Sequence, residues 1–121
     1  MSIQGVPVPG VVPHRADGLF NNHIAFALWK LLRDQAAAIN RLGAGEVTIP
    51  EPFPAGNFDA TLANTVSTIL RQHAEAINRL GGEIEVPGVI VARGTTFGEV
   101  LATEIGLTLW KHAREINVLA A

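Results

Sequence analysis

The chain contains no cysteine and no tyrosine, and only 17% of its 121 residues are charged. Without cysteine there is no disulfide, no thiolate nucleophile and no cysteine-based zinc site. The nine lysines and arginines are scattered and the net charge is −2, so the chain carries no basic footprint for nucleic acid. A glycine-rich phosphate loop, a paired-carboxylate motif and the HExxH motif are also absent. We therefore predict a protein that is not an enzyme and binds no nucleic acid.

Apolar residues make up 48% of the chain, and the mean hydropathy of +0.27 is high for a small free domain. No window reaches the roughly 18 uncharged apolar residues of a membrane span, because Lys30 and Arg33 interrupt the longest apolar run. Residues 1–7 lack the basic and apolar regions of a signal peptide. We expect a single domain, 1–121, whose surplus apolar surface is buried against other subunits and not in a membrane.

An internal repeat organises the chain. When Phe20, Phe58 and Phe97 are aligned, offsets of 38 and 39 residues bring the following apolar positions into register without a gap. The sequence Ala-Ile-Asn-Arg-Leu-Gly occurs at 38–43 and again at 76–81. The pattern predicts three tandem repeats at about 1–43, 44–81 and 82–121.

Each predicted repeat consists of a Pro/Gly-rich extended segment followed by an amphipathic helix. The extended segments are 6–13, 47–54 and 84–91; the prolines in them fix φ and disfavour helix in the residue before. Each helix carries one apolar stripe roughly 100° wide, which is typical of a bundle helix. The expected N-caps are Asp17 or Asn21, then Asn57, then Thr96 with Glu99, and the expected C-terminal glycines are Gly43 and Gly81.

The three stripes predict a mainly α, pseudo-threefold three-helix bundle. Helices of about 23 residues are roughly 34 Å long, and connectors 43–56 and 81–95 can span roughly 46 Å when extended. Each connector can therefore return along the bundle, which favours parallel helices, although an antiparallel bundle stays open as the alternative. The parallel model predicts four apolar layers: Phe20, Phe58 and Phe97; Leu28, Val66 and Ile105; Leu32, Leu70 and Leu109; Ile39, Ile77 and Ile116.

Three polar residues, Gln35, His73 and His112, interrupt the stripe at equivalent positions. Imidazoles bind transition metals, but two histidines and a glutamine are a poor zinc set. We predict no metal and no cofactor, and instead a polar core layer that fixes helix register. The alternative is that these residues lie near a wetter edge of the bundle.

Other polar residues give little indication of chemistry. Asn40, Asn78 and Asn117 lie off the stripe in the last turns, where we expect them to bond nearby carbonyls or the returning connectors. His14 and His23 have no nucleophile at a meaningful spacing.

The predicted helix backs differ in polarity. The first and third helices carry large apolar residues there, namely Phe26, Trp29, Leu107 and Trp110. The second helix has polar residues instead, namely Asn64, Ser67, Thr68 and Arg71. Either the extended segments 6–13 and 84–91 cover the apolar backs, or these residues bind a partner. We predict partner-binding roles for the four apolar residues.

Short cysteine-free chains that mix Pro/Gly-rich segments with helices ending in Ile-Asn-x-Leu-Gly resemble small accessory structural proteins of tailed-bacteriophage virions. Capsid decoration, head-fibre and tail-fibre proteins are the members concerned, and the resemblance covers the whole chain in style without a diagnostic motif. It implies a non-enzymatic cement or attachment role in a virion assembled in the host cytoplasm. The implied partners are other virion proteins or copies of the chain.

Accessory virion proteins of this kind are usually homotrimers, whereas this chain supplies three copies of the predicted repeat itself. The alternative function is a cellular helical adaptor or ligand-binding bundle, with a cavity beside the small residues Ala36, Ala37, Ala38 and Gly106.

Overall fold

The computed structural model describes residues 12–43, 47–92 and 94–121, which form three α-helices. Helix α1 spans Asn22–Leu42, α2 spans Ala60–Arg79 and α3 spans Glu99–Ala120. Every pair of helices is in contact. The described residues include no β-strand, and an isolated antiparallel bridge joins Phe20 and Gly56. The predicted mainly α three-helix fold is confirmed.

Three phenylalanines show that the helices run parallel. Phe20, Phe58 and Phe97 each lie just before a helix, and their ring centroids are 4.8–5.3 Å apart. All three rings are at most 1% exposed. At the other end, the last turns meet in one buried cluster that includes Ile39, Ile77 and Ile116. Because the N-terminal ends meet at one pole and the C-terminal ends at the other, the antiparallel alternative is excluded.

A ring of main-chain hydrogen bonds joins the three segments that enter the helices. The bonds are Phe97 N to Gly18 O at 2.9 Å, Phe58 N to Thr95 O at 3.2 Å, and Gly56 N to Phe20 O at 2.8 Å. In each bond one partner is one of the three phenylalanines, and the other is the residue two positions before another of them. The N-terminal pole of the bundle is therefore closed by pseudo-threefold backbone pairing.

The helices begin directly after this ring, which corrects two predicted caps. Asn21 accepts from Ile24 N at 2.9 Å and Asp59 accepts from Leu62 N at 3.0 Å. In the third helix the cap is Gly98, which makes no side-chain cap bond. The predictions of Asn57 and Thr96 were wrong, because both residues lie before a phenylalanine whose N–H is committed to the ring.

The helix ends and the core agree with the sequence pattern. Gly43 and Gly81, with φ of 84° and 103°, follow the first two helices in the left-handed conformation expected of C-terminal glycines. The residues of the four predicted apolar layers are all at most 1% exposed. The described parts of the connectors contain no regular secondary structure apart from isolated bridge residues. The division into repeats stays a prediction.

Candidate functional site

Two asparagines hold the connectors to the C-terminal pole. Asn40 donates to Val47 O at 3.0 Å and accepts from Val47 N at 2.8 Å. Asn78 makes the same pair of bonds with Ile84, both at 3.0 Å. The predicted contact with the returning connector is confirmed for these two residues. Each side-chain amide hydrogen-bonds both the N–H and the C=O of one connector residue. It therefore fixes the point at which the connector turns back along the bundle.

Each helix also contacts a non-helical segment of the chain at one equivalent position, nine residues after its phenylalanine. On α1, Trp29 Nε1 donates to Pro50 O at 2.8 Å. On α2, Ser67 Oγ accepts from Ile90 N at 2.8 Å.

On α3 the equivalent position is Gly106, and the segment that reaches it is the one preceding α1. A Cβ built on Gly106 would lie 3.3 Å from the side chain of Val12. Three unlike residues at equivalent positions, Trp29, Ser67 and Gly106, thus each contact a segment from another part of the chain.

These contacts revise the prediction of what covers the helix backs. Segment 84–91 packs on α2 through Ile90, and the predicted outward residue Ser67 is buried beneath it. Trp29 is covered by segment 47–54, which the sequence reasoning had not assigned to it. Residues 6–11 of the other predicted cover lie outside the described residues. The predicted cavity beside Gly106 is filled by Val12, and Ala36 and Ala38 are packed in the core.

The polar core layer is present and buried. Gln35, His73 and His112 are 1%, 0% and 1% exposed. Gln35 Nε2, on α1, donates to Leu109 O at 2.8 Å. Leu109 lies one helical turn before His112 on α3. The imidazole centroids of His73 and His112 are 6.5 Å apart. The wetter-edge alternative is therefore wrong, since apolar layers lie on both sides.

Burial controls the charge of the two histidines. It lowers the pKa of His73 to about 3, with a smaller contribution from His112, and it lowers the pKa of His112 to about 4. Both rings are therefore neutral at neutral pH. Among the described residues, no group of three or more His, Cys, Asp or Glu side chains is arranged to hold a metal ion.

The predicted partner-binding residues lie on two separate helix backs. On α1, Phe26 is 57% exposed and its ring lies 5.5 Å from that of the half-buried Trp29. On α3, Leu107 is 51% and Trp110 38% exposed. Each tryptophan carries an arginine over its ring, Arg33 at 4.9 Å and Arg114 at 4.8 Å. The four residues do not form one patch.

Sequence reasoning missed the outer side of the second connector. Val86, Val89 and Val91 are 40%, 62% and 72% exposed. Val89 and Leu107 line the same groove of about 390 Å³ between this connector and α3. The alternation of Val89 and Val91 with buried Ile90 was the available signal, because alternate residues of an extended segment face opposite sides.

A larger groove lies between the first connector and α2. Its volume is about 1030 Å³, and its apolar lining includes Pro50, Phe53, Leu62 and Ile69. Polar residues of α2, such as Asn64 and Thr68, line the groove beside Leu62 and Ile69 of the same helix.

Comparison of the chain with protein-family models, with curated proteins and with solved structures gave no match. No helix in the described part of the chain is long and apolar enough to cross a membrane. The site geometry is therefore the basis for assigning a function.

Proposed function

We propose that this protein is a non-enzymatic structural component of a phage virion, a capsid decoration, cement or fibre-attachment protein. It docks on other virion proteins, or on copies of itself, through the backs of α1 and α3 and the extended segments. The observation that carries the proposal is the exposure of Phe26, Leu107 and Trp110 beside a polar α2 back. Large exposed apolar residues gathered on particular faces are typical of protein interfaces.

The driving force is adequate for docking on a lattice. Covering a few hundred Å² of these apolar side chains contributes on the order of 10 kcal/mol at about 25 cal/mol per Å². Loss of translational and side-chain freedom offsets much of this, so a single contact is weak. A chain that engages neighbouring lattice sites through both the α1 and the α3 back links two such contacts, which raises the overall affinity through multivalency.

The burial of the polar core layer and the closed N-terminal pole of the bundle also favour a structural role. The buried polar residues form a layer between the apolar layers of the described core. A rigid parallel bundle with distinct outer faces serves to present those faces at fixed positions.

Mass spectrometry of purified particles made by the genome that encodes the chain tests this function directly. We expect the protein in the particle, and we expect the purified chain to sediment with particles stripped of it. The variant Trp110→Ser should lose particle binding while keeping its helix content by circular dichroism. Thr68→Ser, on the polar back of α2, is the matched control. A monodisperse monomer with no affinity for particles contradicts the proposal.

The alternative function is a cellular helical adaptor or ligand-binding bundle, and the groove lined by Phe53, Leu62 and Ile69 favours it. An apolar ligand or peptide in this groove raises the melting temperature in proportion to the logarithm of its free concentration. Such stabilisation, lost in Ile69→Ser and accompanied by no particle association, supports the adaptor over the virion protein.

A further inference from the structure

The polar core layer contains polar atoms whose hydrogen-bonding capacity the protein does not use. Gln35 Oε1 and both ring nitrogens of His73 and of His112 are buried and have no hydrogen-bond partner among the described residues. Buried polar atoms are nearly always paired with protein or with water, since leaving them unpaired forfeits their hydration. These atoms come from three different helices, one residue from each, at equivalent positions in the bundle.

The chemistry of the layer selects a small guest that both donates and accepts. Each neutral imidazole offers one N–H donor and one lone-pair nitrogen. Gln35 offers its carbonyl oxygen, which has no partner, whereas one N–H of its Nε2 already donates to Leu109 O. An anion would be opposed by this oxygen. A water molecule can donate to Gln35 Oε1 and to one imidazole nitrogen while accepting from the N–H of the other imidazole.

The spacing of the two rings fits one bridging water. Two imidazoles bonded tetrahedrally to one zinc at about 2.1 Å have ring centroids about 5.2 Å apart. Two imidazoles hydrogen-bonded to one water at about 2.8 Å, with a tetrahedral angle at its oxygen, have centroids about 6.5 Å apart. The observed separation between His73 and His112 is 6.5 Å.

We propose that the layer of Gln35, His73 and His112 is a binding site for one structural water, which links the three helices. The hydrogen-bonded chain runs from Leu109 O through the Gln35 amide to the water and on to the two imidazoles. It satisfies three of the five unpaired atoms with a single guest. Through it the layer joins α1, α2 and α3 at one level and so opposes any slip of one helix along the others.

Access to the site is available from the groove beneath the second connector. His112 is among the residues that line this groove of about 390 Å³, together with Ile84 and Ile90. The same connector is held over the groove by the bonds of Ile84 to Asn78 and of Ile90 to Ser67. Exchange of the water with solvent is therefore expected to be slow while the connector is in place.

Oxygen-17 relaxation dispersion of solvent water, which counts long-lived internal waters, tests the proposal on the full chain. We expect one long-lived water fewer in the double variant His73→Leu, His112→Leu than in the wild type. Leucine has a similar volume, and replacing a buried polar group by a packed apolar one commonly preserves folding. An equal number of long-lived waters in the two proteins overturns the proposal. If the double variant does not fold, Gln35→Met is measured in the same way.

Metal binding is the competing occupant, and thermal unfolding with added Zn²⁺ or Ni²⁺ distinguishes it. We expect the same melting temperature with either metal as with a chelator. A rise in melting temperature that needs both His73 and His112 overturns the proposal in favour of a metal site. Because neither experiment involves particles, both are independent of the virion role.

Discussion

The indole Nε1 of Trp29 donates a hydrogen bond of 2.8 Å to the carbonyl oxygen of Pro50, so the first connector is held to the back of α1. Trp110, on the back of α3, is 38% exposed and stacks under Arg114. Two residues that looked alike in the sequence therefore have different surroundings. Trp29 holds the first connector in place through a hydrogen bond, whereas the ring of Trp110 is partly exposed to solvent.

Trp29→Phe should lower the free energy of unfolding by about 1 kcal/mol, because the ring can stay in place while the hydrogen bond to Pro50 is lost. Trp110→Phe is the matched control and should change it by less than about 0.5 kcal/mol. Urea unfolding followed by circular dichroism measures both. Equal losses in the two variants would show that the Trp29 contact is not stabilising.

Replacing Leu32, Leu70 or Leu109 by alanine should cost about 2–5 kcal/mol in each case. All three side chains are at most 1% exposed and belong to one layer of the bundle. Leu107→Ala removes the same atoms from a residue that is 51% exposed, and should cost much less. Chemical denaturation gives the four values, and a tolerant member of the layer would contradict its pseudo-threefold equivalence.

Asn78→Ala should lower the free energy of unfolding by about 1–3 kcal/mol, because it removes both hydrogen bonds to Ile84 and leaves two backbone groups without partners. Asn64→Ala, on the exposed side of the same helix, is the control and is expected within about 0.5 kcal/mol of wild type. Hydrogen exchange of the Ile84 amide should quicken in the first variant only. Unchanged protection of that amide would rule out the anchoring role of Asn78.

Gly18→Ala should destabilise the closed pole by about 1–3 kcal/mol. Its φ of 77° is disfavoured for alanine, and the added Cβ would lie 2.9 Å from Thr96 Cβ. Gly88→Ala is a matched control, since a Cβ there meets nothing within 4 Å. Thermal unfolding should separate the two substitutions by several degrees, and similar melting temperatures would contradict the packing at Gly18.

Stability should fall as the pH drops below about 6.5, the ordinary pKa of histidine. Burial lowers the pKa of His73 to about 3 and of His112 to about 4, so between these values and 6.5 the unfolded chain binds more protons than the folded one. The slope reaches about 1.4 kcal/mol per pH unit for each histidine.

Urea unfolding at pH 7.5, 6 and 5 measures this loss. His73→Gln with His112→Gln is the comparison, and it should show a shallower decline over the same range. The hydrogen bond from Arg15 lowers the pKa of Asp17 to about 2, so that carboxylate titrates below the measured window. Parallel pH profiles for the two proteins would contradict the burial of neutral imidazoles.

Periodicity alone predicted much of the interior. The stripe positions named the residues of four buried layers, and the polar interruption at Gln35, His73 and His112 was placed correctly inside them. Connector length favoured the parallel arrangement that the contacts of Phe20, Phe58 and Phe97 confirm. These features can be predicted because burial of one helix side imposes an apolar repeat of about 3.6 residues on the sequence itself.

The helix starts were less accessible. Asn57 and Thr96 are good capping residues by type, but the ring of backbone bonds keeps the chain extended through the following phenylalanines. A cap therefore forms at the first residue free of the ring, even when that residue is Gly98 without a capping side chain. The N-capping preference of Asn57 and Thr96 is thus weaker than the tertiary hydrogen bonds made by the N–H groups of Phe58 and Phe97.

The helical periodicity was enough to predict which side of each helix is buried, where the polar layer falls and how many helices share the core. The segments that lie on the helix backs became known only from the packing of the folded chain. That packing placed Pro50 on Trp29, Ile90 on Ser67 and Val12 on Gly106, and left Trp110 outward. The physical reason is that a helix records its buried side in its own periodicity, whereas the cover on its back belongs to a distant segment whose path is fixed by contacts at both poles.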